Sequence, residues 1–329
     1  MRETDTLRNH NPAATRPAGW RRLWLAGAVL LALGAGVATM IHRDGHTLGS
    51  ADAALILQSV RPSGDRLAAG GTLPSDTTSF AMPGVVPQSA LRRRFQQAED
   101  LFAYSQVLAP MVQAGDADAT WLMSRVVETC AAYAMDPAGY ARDTELLGNM
   151  RLSTSSSMRS ARERVARRCR RFTTADGFSN GAATGLLLSA AKAGSLVAEA
   201  ELLGLGQPLG SGEGYVRDLV GRVRDSLDAE AFRAIAPAMG GPAGVGMFSQ
   251  PEVTPQYREI VWQLAACRLG MDCGPDSTLM TAYCVNGGIC SRDTGQGFEA
   301  FVQDAAVPRQ GADLIMGMVD TLVGDAKEN

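Results

Sequence analysis

Between Leu91 and Tyr133 apolar residues return at helical, not alternating, intervals. Leu91, Phe95, Ala98, Phe102 and Leu108 follow the polar pair Gln88-Ser89 at near-helical spacing, and Trp121, Leu122, Val126, Cys130 and Tyr133 continue the pattern. No β-branched alternation bounded by hairpin turns interrupts it. The same spacing predicts further helices at about 158–172, 182–203, 213–238, 255–269, 277–286, 297–306 and 309–324. Thr254-Pro255 reads as an N-cap followed by a helix-starting proline, Gly270 as the stop of that helix, and Ser277 as the next N-cap. The expectation is an all-α body.

A different pattern precedes it. Leu23 to Ile41 carries no charged residue over 19 positions, and at 1.5 Å per residue it spans roughly 28 Å, the thickness of a bilayer core. Arg2, Arg8, Arg16, Arg21 and Arg22 precede the run, whereas Arg43 is the only basic residue shortly after it. By the positive-inside rule the N-terminus stays in the cytoplasm and the rest is exported. Gly36-Val37-Ala38 offers a signal-peptide cleavage site, but the apolar run exceeds a typical h-region, which favours an uncleaved anchor. Residues 42–87, with Pro62, Pro74, Pro83 and Pro87 among many Gly, Ser and Thr, have the composition of a flexible tether. The expected organisation is a cytoplasmic tail (1–22), a transmembrane helix (23–41), a periplasmic tether (42–87) and an α-helical periplasmic domain (88–329), placing the chain in a bacterial inner membrane as a single-pass protein.

Composition narrows the chemistry. A net charge of -3 lacks the basic excess of a nucleic-acid binder. His10, His42 and His46 are the only histidines, so the folded region offers no Ser-His-Asp, Cys-His or His-containing metal arrangement. Neither a phosphate-binding G-x-x-x-x-G-K-[ST] loop nor a strand-linked G-x-G-x-x-G occurs, and no cofactor is expected. Lys192 is the one lysine available for a Ser-Lys pair, and its turn position points to solvent. Glu128, Glu163, Glu199, Glu201 and Glu213 are formal candidates for carboxylate chemistry, each also explained as an exposed face residue.

Six cysteines, Cys130, Cys169, Cys267, Cys273, Cys284 and Cys290, all follow the apolar run, an even number suited to disulfides in an oxidising compartment. The last four are spaced C-x5-C-x10-C-x5-C, unlike structural zinc sites. Three connectivities are open to them. Two apolar faces that each end in Cys favour Cys267 with Cys284, leaving Cys273 with Cys290, and Cys130 with Cys169 by elimination.

Three turns share one pattern. Gly115-Asp116 precedes Ala119 and Met123, Gly194-Ser195 precedes Ala198 and Leu202, and Leu227-Asp228 precedes Ala231 and Ile235. A small residue permits close helix approach and a large one fills the groove, as stacked helical hairpins require. The pattern A-x-x-G-x-x-x-A-x-x-x-L, met by Ala191 to Leu202 and less fully by Val112 to Met123, resembles Sel1-like and tetratricopeptide-type repeats over about a third of the chain. The aromatic residues expected later in each Sel1-like unit are missing. A G-D-x-x-A turn with a downstream Cys is also similar to uncharacterised exported helical proteins of gammaproteobacteria. The resemblance implies irregular stacked hairpins and a protein-binding or scaffolding role.

One segment stands apart in charge: Arg159, Arg162, Arg164, Arg167, Arg168, Arg170 and Arg171, opposed locally only by Glu163, surround an apolar stripe of Met158, Ala161, Val165, Cys169 and Phe172. It is either a solvated face balanced by acids on neighbouring helices or a surface for lipid headgroups, anionic cell-wall polymer or an acidic envelope protein. Three readings follow: a membrane-anchored binding or scaffolding module for an envelope component, placed first; a carboxylate-dependent glycan hydrolase; and a self-assembling structural protein.

Overall fold

The computed structural model describes residues 89–246, 248, 253–305, 307 and 309–328; the expected transmembrane helix and tether lie outside them. Among the described residues there are thirteen α-helices, two short 3-10 turns and no strand. In chain order they are α1 (Ala90–Gln97), α2 (Leu101–Gln113), α3 (Ala117–Met135), α4 (Pro137–Asn149), α5 (Ser155–Cys169), α6 (Asn180–Lys192) and α7 (Leu196–Gly204). Then come α8 (Glu213–Ser226), α9 (Ala229–Gly240), α10 (Pro255–Arg268), α11 (Thr278–Val285), α12 (Phe298–Ala305) and α13 (Arg309–Glu328). None of these helices is long and apolar enough to cross a membrane.

Local chemistry sets most boundaries. Asp100, Asp116, Asp136, Ser179 and Ser195 each accept a hydrogen bond from the backbone N–H three residues on, as do Thr254 and Ser277 at the caps expected from sequence. The three look-alike turns all form. Gly115 (φ +83°) and Gly194 (φ +99°) occupy the left-handed region, and Leu227 (φ +49°) does so without glycine's freedom. These turns divide the expected 182–203 and 213–238 segments into α6 with α7 and α8 with α9, because a left-handed residue ends a helix even where apolar periodicity runs through.

The turns produce the packing that the small-large pattern implies. Ala119, Ala198 and Ala231 are fully buried, as are Leu202 and Ile235, with Met123 only 1% exposed. Helices α2, α3, α6, α7, α9, α10 and α13 each lie against the next in that order. Trp121 and Trp262 are buried within the array, and the Trp262 ring stands 5.0 Å from Phe232. Full burial of such rings stabilises by roughly 2–3 kcal/mol each.

The cysteines form three disulfides, and two pairings differ from expectation. Cys130–Cys169 ties α3 to the end of α5, with Cα atoms 5.5 Å apart. In the downstream cluster the bonds are local, Cys267–Cys273 and Cys284–Cys290, and not Cys267–Cys284 with Cys273–Cys290. Periodicity identifies the face a cysteine occupies but not the reversal after it. The chain doubles back past Gly270 (φ +99°) and again at Gly287-Gly288, bringing each partner to within 5.7 and 4.3 Å between Cα atoms.

Candidate functional site

Helix α4 was not anticipated from apolar spacing, yet it builds one wall of a groove of mixed chemistry. Asp136 caps it and Pro137 occupies its first turn, where a missing N–H costs nothing. It packs along α5, the Arg-rich helix. Between them and the end of α3 lies a groove of about 470 Å³ lined by Tyr133, Tyr140, Ala141, Thr144, Glu145, Asn149, Arg159, Glu163 and Ala166. The Tyr133 and Tyr140 rings meet edge to face at 5.7 Å. Arg159 donates to Asn149 Oδ1 at 2.8 Å across Gly148, where a Cβ would strike its guanidinium. Glu145 and Glu163 are exposed along the groove. Leu146 (68% exposed), Met150 (49%) and Leu152 (61%) follow along α4 and the turn after it.

The seven arginines of α5 and its end do not form one patch. Arg162 lies over the Tyr140 ring at 3.9 Å and donates to Thr144 Oγ1 and the Tyr140 carbonyl. Arg164 pairs with Asp276 at 2.9 Å and Arg171 with Asp100 at 3.1 Å. Arg168 donates to the carbonyls of Ala98 and Phe95 at 2.8 and 2.6 Å, and burial pushes its guanidinium down to about 10. Arg167 and Arg170 point to solvent, and Arg159 lines the groove. The stripe of Ala161, Val165, Cys169 and Phe172 is buried as its spacing implies.

A second arrangement had no sequence signal beyond its residue types, because its members come from four helices. Arg92 of α1 bridges Asp118 of α3 and Asp228 at the start of α9, over the face of Trp121 at 5.0 Å. Gln96 donates to Glu230, whose carboxylate also accepts from Arg233 at 3.0 Å. Arg233 reaches Glu201 of α7, which further accepts from Arg125 and from the Trp121 Nε1, each at 3.0 Å. Burial alone would raise the Glu201 carboxyl; Arg125, Arg233 and the indole N–H outweigh it and hold it below the usual range.

The other carboxylates singled out by sequence fall into separate places. Glu201 and Glu199 are half-buried, 14% and 13% exposed, not exposed face residues. Glu199 is gripped by both ends of Arg222 at 2.9 Å and by the Tyr215 hydroxyl, which hold it low. Two positions apart on α7, the two acids thus serve different neighbours. Glu128 is exposed and pairs with Arg125. Glu213 sits at the mouth of an open, mostly apolar groove of about 1180 Å³ between the ends of α7, α8 and α9. Lys192 is exposed at the end of α6. Among the described residues no cluster of three His, Cys, Asp or Glu side chains is placed to hold a metal ion.

No protein-family model, curated protein or solved structure matches this chain.

Proposed function

We propose that the protein is a single-pass inner-membrane protein whose helical body stands in the periplasm and binds another envelope protein through the α4–α5 groove. The observation carrying this reading is the groove itself. Two tyrosines, an arginine and two exposed carboxylates line it, and the segment that supplies its α4 wall also carries the exposed Leu146, Met150 and Leu152; amphipathic aromatic and Arg side chains with exposed apolar ones on the same element are the usual make-up of a protein-binding surface. Mixed charge favours a folded or peptide partner over a uniformly anionic polymer. Three disulfides suit an oxidising compartment, and the Arg asymmetry around Leu23–Ile41 supports the orientation. Stacked hairpins with buried Ala119, Ala198 and Ala231 support a scaffold of the Sel1-like kind.

The test is a photocrosslinking residue placed at Ala141 or Glu145 of the groove wall in living cells, with Lys192 as the control position. One discrete heavier product from the first two and none from Lys192 is expected. Products containing only this protein would replace the binder by a self-assembling one, and equal or absent labelling everywhere would overturn the reading.

A further inference from the structure

Helix α1 is the first described element, and polar contacts at its two ends and along its flank hold it to the body. Of its eight residues only Phe95 is buried, against Tyr104 with ring centroids 6.0 Å apart. At the N-terminal end the Ser89 hydroxyl donates to Asp118 at 3.1 Å, and Arg92 donates to Asp118 and Asp228 at 2.9 and 2.8 Å. At the C-terminal end Arg168 of α5 donates to the last carbonyls, those of Phe95 and Ala98. On its flank Gln96 donates to Glu230 and accepts from Thr278 of α11. The body thus reads the Ser89 and Arg92 side chains at one end of α1 and its terminal carbonyls at the other, where an arginine also suits the negative end of a helix. Such matching recognises the Ser89 and Arg92 side chains together with the backbone that ends the helix.

We propose that this cradle is a helix-binding site, that α1 fills it in cis as a releasable strap, and that in trans it takes a short helix with Arg, an aromatic three positions on and an amide four positions on. The proposal is independent of the α4–α5 groove. With one buried side chain, α1 is held to the body mainly by polar contacts, those above and the Tyr104 hydroxyl on the Leu91 carbonyl, so its release exposes little apolar surface. When it leaves, Asp118 and Asp228 lose Arg92, and Arg168 loses both carbonyls, so a replacement helix gains by restoring each contact. Covalent attachment keeps the cis segment at an effective concentration on the order of millimolar, which excludes weak competitors until the strap is cut or weakened.

The full-length chain in detergent micelles, carrying a protease site between Ala98 and Glu99, provides the test, with a fluorescent peptide of sequence 87–98 as the probe. The cut chain is expected to bind the peptide saturably, and the uncut chain at least tenfold more weakly. Arg92→Ala in the peptide should cost at least tenfold in affinity. An uncut chain with Arg92→Ala and Gln96→Ala should bind the unaltered peptide better than the parent does. Binding indifferent to Arg92→Ala in the peptide, no binding by a cut chain with native helical circular dichroism, or loss of that signal on cutting would each overturn the proposal.

Discussion

Arg92 and Asp228, 136 residues apart in sequence, are joined by two hydrogen bonds from one guanidinium nitrogen, 2.8 Å to Oδ1 and 2.7 Å to Oδ2. The same Asp228 caps α9 by accepting from the Glu230 and Ala231 N–H groups. A single carboxylate therefore fixes both the start of α9 and the seat of α1. Arg92→Ala leaves it with only the capping role and leaves Asp118 with only the Ser89 hydroxyl. Both acids are about a quarter exposed, so the loss is set below that of a fully buried pair, at about 2 kcal/mol by urea denaturation. A change under about 0.5 kcal/mol, the range of ordinary surface substitutions, would show the bridge to be incidental.

The arginines of α5 should separate into two groups. Arg168→Gln removes the donor to two carbonyls of α1 and is expected to cost about 2 kcal/mol. Arg167→Gln with Arg170→Gln should change stability by less than about 0.5 kcal/mol. Equal effects from both substitutions would contradict the division of roles. The same pair of variants, tested for retention on anionic liposomes and cell-wall sacculi, examines the alternative use of this helix, since only the exposed arginines are free to reach such a surface; unchanged retention removes it.

Acid should weaken the fold through Glu201 and Glu199, whose carboxyls lie below their ordinary value of 4.5 in the folded protein. A depressed carboxylate contributes fully above its unfolded pKa, and that contribution is lost as pH falls through the folded value. Thermal stability should therefore decline below about pH 4.5, and Glu201→Gln should flatten that decline. Glu259 behaves oppositely: burial raises it, so its contribution is present below 4.5 and lost as pH rises. Glu259→Gln is expected to raise Tm at pH 7 and leave it unchanged at pH 4; a lowered Tm at pH 7 would contradict the buried-charge explanation.

Much of this architecture was readable from local chemistry. The turns at Gly115-Asp116, Gly194-Ser195 and Leu227-Asp228 were legible because a left-handed residue and an N-cap lie side by side, and the buried Ala and large apolar positions followed from helical spacing. Helix α4 was not, since its apolar content is thin, although Asp136-Pro137 is a start signal in its own right. The α4–α5 groove was missed with it. Seven arginines were visible in sequence, but Arg168 finds its carbonyl partners about 70 residues away. The four-helix chain of Arg92, Asp228, Glu230, Arg233, Glu201 and Arg125 is likewise a product of tertiary assembly.

Disulfide removal should grade with loop length. In the chain-entropy picture, the Cys130–Cys169 bond, 39 positions apart, contributes about 4 kcal/mol and each local bond about 2.4. Paired Cys→Ala variants measured by denaturation should follow that order. Peptide mapping of the non-reduced protein should recover Cys267 linked to Cys273 and Cys284 linked to Cys290; a Cys267–Cys284 peptide would contradict the local pairing.

The proposed function requires export of the helical body, and fusing reporters to the C-terminus tests that requirement most directly. With alkaline phosphatase, which needs an oxidising compartment, the fusion should be active; with a fluorescent protein that matures only in the cytoplasm, it should be dark. Bright fluorescence with an inactive phosphatase would contradict the account.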